Sequence, residues 1–89
     1  MSAARSVKLL YFAWLRERVG VAEEDLALPA TVATVADLLV WLPQRSPGHA
    51  AAFATTATVR CAVNQDFATP DTALSAGDEI AFFPPVTGG

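Results

Sequence analysis

With 89 residues the chain makes one domain, and its core is adequate rather than generous, since ~60 to 65% of the unfolded surface is buried at this size. Its 53% hydrophobic content includes 18 alanines, so the large apolar payload is smaller than that figure, but the composition is globular and excludes a disordered chain. A net charge of −3 and basic residues that never form a run (Arg5, Lys8, Arg16, Arg18, Arg45, Arg60) argue against a nucleic-acid surface, while a single Cys and a single His exclude an intrachain disulfide and a Cys/His metal site.

The opening "MSAARSVKLLYFAWL" puts one Arg before an apolar run, but Lys8 splits that run and no small-residue cleavage site follows, so no signal peptide is expected. No stretch approaches the ~18 to 20 apolar residues of a membrane span, and the cytoplasm is the expected compartment. Residues 1–6 are expected to be a flexible N-terminus, residues 7–83 a folded domain and residues 84–89 an extended tail. "VKLLYF" (Val7 to Phe12) is short, nearly continuous in apolarity and rich in β-branched and aromatic residues, which predicts a central strand covered on both faces. "AWLRERVG" predicts a short helix stopped by Gly20. In "EEDLALP", Leu26 and Leu28 alternate with Asp25 and Ala27 before Pro29, a strand solvated on one side.

"TVADLLVWL" is the clearest helix, with Thr34 as N-cap, Asp37 completing a weak capping box, and Val35, Leu38, Leu39 and Leu42 at helical spacing. Pro43 and the breakers of "PQRSPG" end or kink it near Leu42, and a second short turn through "HAAAF" is possible. "TVRCAVN" alternates Val59, Cys61 and Val63 with Arg60, Ala62 and Asn64, which predicts a strand with Cys61 on its core face. Turn residues at Asn64 to Asp66, a short extended piece at Phe67 and the turn Ser75 to Asp78 lead to a last strand, Glu79 to Phe83. Two strands, a helix and two or three more strands make an α+β pattern in the order of a β-grasp, the ubiquitin-like layout: a mixed sheet of four or five strands against one principal helix.

The ending "FFPPVTGG" raises its own question. Two terminal glycines alone favour a tag or trimmed linker, but Pro84 and Pro85 favour extended geometry, so the tail leaves the last strand stiffly. From Pro84 to Gly89 it reaches at most ~20 Å. Lacking Cβ atoms, Gly88 and Gly89 can pass a narrow channel and present the C-terminal carboxyl with little hindrance. If Ile80 and Phe82 face the core, alternation turns Ala81 and Phe83 to the opposite face. Phe83 is then expected to be largely exposed, an aromatic anchor for a partner.

The stretches "VKLLYFAWLRERVG", "TVADLLVWL", "VRCAVNQ" and above all "GDEIAFFPPVTGG" resemble the small, sulfur-carrying subunit of molybdopterin synthase, a family of ThiS-like, ubiquitin-related proteins, and the likeness runs from Val7 to Gly89. The resemblance implies that an E1-like adenylating enzyme spends ATP to activate Gly89, that a sulfurtransferase converts the adenylate to a thiocarboxylate, and that the tail donates this sulfur to the molybdopterin dithiolene. It implies a large subunit as partner, in a heterotetramer, with Phe83, Pro84, Pro85, Val86 and Thr87 at the contact. It implies no permanently bound cofactor, no metal, no nucleic acid and no membrane. Arg16, in "LRE", is either a surface helix residue or a further partner contact. Related readings stay open: a carrier for thiamine or another thio-cofactor, a protein-conjugating modifier, or a plain interaction domain. His49, alone in a breaker-rich loop, is expected at the surface. Cys61 is expected in the core, and Glu23, Glu24, Asp25, Asp78 and Glu79 on a solvated surface.

Overall fold

Arg5 sets where the first strand begins. The computed structural model describes residues 5–54 and 59–85. Its strand β1 (Arg5–Tyr11) starts ahead of the hydrophobic run because the Arg5 guanidinium donates to the carbonyls of Pro29 (2.8 Å), Val32 (2.6 Å) and Leu74 (3.3 Å). Arg5 and Ser6 therefore belong to the domain rather than to a flexible N-terminus, and residues 1–4 lie outside the described residues. Nor is β1 covered on both faces: Val7, Leu9 and Tyr11 are buried, whereas Lys8 is exposed and Leu10 half-buried.

A turn closed by the Leu15 amide on the Phe12 carbonyl (3.1 Å) leads into α1 (Trp14–Val19). Ala13 holds that turn at φ 55° and ψ −133°, a conformation that disfavours any Cβ. At the other end Gly20, at φ 100°, caps α1 by donating to the Arg16 carbonyl, the stop expected from sequence. Strand β2 (Glu23–Leu28) pairs antiparallel with β1.

The principal helix, α2 (Val35–Trp41), starts from a full capping box: the Thr34 hydroxyl accepts from the Asp37 amide (3.3 Å) while the Asp37 carboxylate accepts from the Thr34 amide (3.2 Å). It buries Val35 and Leu38 on one stripe, and Leu42 continues that stripe into a 3₁₀ turn (Leu42–Gln44) that absorbs Pro43 without breaking the chain away from the core. The expected turn through "HAAAF" is a helix, α3 (Pro47–Ala52), N-capped by Ser46 with Pro47 at its first position.

Strand β3 (Arg60–Val63) turns back into β4 (Asp66–Phe67) through Asn64 and Gln65, both at positive φ (52° and 73°), the two-residue hairpin turn that matches strand twist. The last strand, β5 (Glu79–Phe83), lies at the centre. The sheet order is β2-β1-β5-β3-β4, with β1 and β5 parallel and the other pairs antiparallel. Core residues from alternate positions of the strands meet Val35, Leu38, Leu42, Ala52 and Phe53 on one side of the sheet. Five mixed strands with the helices on one face make the expected α+β, β-grasp architecture.

Candidate functional site

The helices cover one face of the sheet, and strand parity decides what the other face carries. In β5, Ile80 and Phe82 are fully buried, so Glu79, Ala81 and Phe83 turn outward. Register then places Leu10 beside Ala81, Ala81 beside Ala62 and Ala62 beside Phe67, an apolar row across β1, β5, β3 and β4. In the next row Phe83 pairs with Arg60, and Phe12 stands beside it, its amide bonded to the Phe82 carbonyl at 3.1 Å. Phe67 is 85% exposed and Phe12 49% exposed, while Leu10, Ala62 and Ala81 are half-buried. Neighbouring apolar side chains on an uncovered face offer a surface that a partner can bury.

Phe83 is not largely exposed as expected. It is half-buried because the Phe67 ring packs against it, centroids 6.1 Å apart, so the aromatic presented most openly to a partner is Phe67. Among the described residues no second layer covers this face. β3–β5 pairing ends at Phe83, and Pro84, which has no amide to donate, starts the tail there. Pro84 and Pro85 are half-buried at this root; Val86, Thr87, Gly88 and Gly89 lie outside the described residues. Arg16 is exposed on α1, the helix entered directly from the Phe12 end of β1, and no salt bridge holds it among the described residues.

Two further expectations are corrected together. His49 is buried, 6% exposed, and Glu24 is half-buried rather than part of a solvated cluster. Glu24 shares the parity of Leu26 and Leu28, so it points under α3, where its Oε1 lies 2.8 Å from His49 Nε2 and accepts from the Tyr11 hydroxyl at 2.7 Å. Burial works to push the Glu24 carboxyl up, but the bonds from His49 and Tyr11 and the charge of Arg45 outweigh it and hold it below the ordinary carboxylate value. Cys61 is core, as expected: burial pushes its thiol up to about 12, so it stays protonated and unreactive at neutral pH.

The family model for the ThiS family matches residues 9–89. The chain belongs to the ThiS family. A molybdopterin synthase sulfur carrier subunit from Escherichia coli (strain K12) is 41% identical over 83 residues, which span 93% of this chain and 99% of that protein. Among solved structures, a Pyrococcus furiosus protein provisionally described as subunit 1 of a molybdopterin converting factor superimposes with a TM-score of 0.77 at 36% identity, covering 91% of this chain and 98% of the other. A chain from a protein-protein complex of subunits 1 and 2 of a Helicobacter pylori molybdopterin-converting factor superimposes with a TM-score of 0.59 at 25% identity over 94% of this chain and 99% of that one. The ThiS-family chain and these relatives thus share length as well as fold.

Proposed function

We propose that the chain is the sulfur-carrier subunit of molybdopterin synthase and that Gly89 carries the sulfur. One arrangement supports this above all: an uncovered apolar sheet face leads to Phe83 and to the root of a stiff Pro84–Pro85 tail, in a chain aligned nearly end to end with sulfur carrier subunits. In this reading the large subunit docks on the open face, with Phe67, Phe83 and Phe12 as anchors and Arg16 at the margin. The tail from Pro84 to Gly89, through Val86, Thr87 and Gly88, reaches into the partner's active site, up to ~20 Å away.

A free carboxylate is a poor acyl donor, so the chemistry begins elsewhere. In an E1-like adenylating enzyme a Gly89 carboxylate oxygen attacks the α-phosphorus of ATP and pyrophosphate leaves. A persulfide sulfur supplied by a sulfurtransferase then attacks the acyl carbon and AMP departs, leaving an acyl disulfide, and a thiol cleaves its S–S bond, releasing the thiocarboxylate as the thiol is oxidised to a disulfide. The thiocarboxylate is anionic, so a positive pocket in the large subunit both holds it and directs it at the pterin. The chain's task is presentation: a rigid body that docks and a narrow arm that reaches. Two carriers and two large subunits form the heterotetramer of this reading, at work in the cytoplasm. Among the described residues no helix is long and apolar enough to cross a membrane.

Incubating the full chain with an adenylating enzyme, ATP, a persulfide source and a thiol reductant, and recording the intact mass, tests the reading. The expected gain is that of one oxygen exchanged for sulfur, and it is absent from a chain lacking Gly89. No gain with an enzyme that demonstrably forms the adenylate would sink the proposal, and an amide-linked protein adduct instead would mark a conjugating modifier.

A further inference from the structure

The proposed reaction leaves one buried polar cluster without a task. His49 is buried, and both ring nitrogens are engaged: Nδ1 lies 2.7 Å from Ser46 Oγ and Nε2 lies 2.8 Å from Glu24 Oε1. The same Oε1 accepts from the Tyr11 hydroxyl at 2.7 Å, and Arg45 approaches the other carboxylate oxygen at 4.0 Å while stacking on Trp41. The Tyr11 ring in turn stacks on Phe82, centroids 5.9 Å apart and 16° from parallel. Phe82 is the residue before Phe83, and its carbonyl receives the Phe12 amide. A continuous chain of contacts therefore runs from α3 through β2 and β1 to the point where the tail leaves β5.

We propose that Glu24 and His49 are positioning residues, which through Tyr11 and Phe82 fix the strand end from which Phe83, Phe12 and the tail are presented. The assignment of a task to this fixed end rests on the carrier reading above; the fixing itself does not. The physical case is that a hydroxyl and an imidazole buried in an apolar cluster are costly unless fully bonded, and here no buried side-chain polar atom lacks a partner among the described residues. Moving any member therefore breaks a bond that burial makes costly to lose. Tyr11 is held by its hydroxyl at one end and by Phe82 and Phe53 at its ring, so it cannot slide along β5. The charged and titratable groups facing the pair are Tyr11 from β1, Glu24 itself from β2, Arg45 after the 3₁₀ turn and His49 from α3. From α1 the Arg18 carbonyl lies against Gly48, while the Arg18 guanidinium lies over Trp14.

Two amides that bond to β5 or its approach read the effect: Lys8 of β1, on the Asp78 carbonyl at 2.9 Å, and Phe12, just after β1, on the Phe82 carbonyl at 3.1 Å. Hydrogen exchange on the full chain, followed by NMR, is expected to speed up ~10-fold at Phe12 and under about two-fold at Lys8 in Glu24→Gln and in His49→Gln. In the wild type, protection at Phe12, corrected for intrinsic exchange, falls as acidification protonates Glu24, below the ordinary carboxylate range. Glu24→Gln lacks that acid step. Tyr11→Phe keeps the ring and loses the hydroxyl, and gives the same local loss should a Gln variant fail to fold. Equal acceleration at Lys8 and Phe12, or an acid step that survives in Glu24→Gln, overturns the proposal, since a purely structural loss lowers both amides together. The carrier reading fails separately, through the absence of the sulfur-for-oxygen mass gain at Gly89 when the adenylate demonstrably forms.

Discussion

Five consecutive residues of β5 serve two different layers. Ile80 and Phe82 are sealed under the helices, where Phe82 meets Phe53 edge-on at 5.0 Å and stacks on Tyr11, while Ala81 and Phe83 stand on the face that no helix covers. The covered face is crowded with large side chains and a fully bonded polar cluster. The open face is built of small residues at its middle, Ala62 and Ala81, and aromatics at its rim, Phe12, Phe67 and Phe83. A flat floor with raised apolar edges is suited to receiving a partner. The comparison teaches that alternation alone can separate folding from docking in adjacent residues.

The largest effect expected from this division is at Phe82. Phe82→Ala opens a cavity beneath α3 and should cost ~3 to 5 kcal/mol, read as a fall in urea midpoint. A loss under about 1 kcal/mol would show that the covered face is not the folding face. Phe83→Ala, one residue on, should behave in the opposite way: ~30-fold weaker association with the large subunit, equivalent to ~2 kcal/mol, and a stability change within about 1 kcal/mol. Because Phe67 shields Phe83, Phe67→Ala should weaken docking as well while leaving the melt unaltered. If both variants titrate like wild type, the open face is not the contact.

Alkaline pH probes the covered face without a cavity. The folded-state thiol of Cys61 is raised from 9.0 to about 12, so the stability it contributes is fully present below pH 9.0 and is lost as pH climbs toward 12. Burial and the bond to Glu24 raise the Tyr11 hydroxyl as well, which adds a loss of the same sign above pH 10.0. Melting temperature should therefore fall over this range, and Cys61→Ala should flatten the first part of the fall. An identical slope in the variant would place the cysteine outside the core. The smallest effect is at the junction of the two faces: Ala13→Gly should relieve the positive-φ turn and raise stability by up to ~1 kcal/mol, and a destabilised variant would contradict the strain assigned there.

The elements that were legible in the sequence are those specified by neighbours. Thr34 and Asp37 cap α2 with each other, Gly20 stops α1 by its own conformation, and the parity of Val59, Cys61 and Val63 follows from adjacent residues. What escaped was specified from far away. His49 looked like a lone loop residue because its partner Glu24 lies on another element, and Glu24 looked like surface because Glu23 and Asp25 flank it, although it shares the parity of Leu26 and Leu28. Arg5 belongs to β1 through carbonyls of two distant loops. The parity of Phe83 was legible, but its shielding by Phe67 required the hairpin register through Asn64 and Gln65.

The central claim, that the open face and tail root dock while the helices hold the fold, is tested most directly by the amide spectrum of the labelled chain titrated with the large subunit. Signals of Leu10, Phe12, Ala62, Phe67, Ala81 and Phe83 should shift or broaden, and those of Ala36 and Val40 on the far side of α2 and of Gln44 in the 3₁₀ turn should stay in place. A footprint centred on α2 with the sheet signals unmoved would contradict the account.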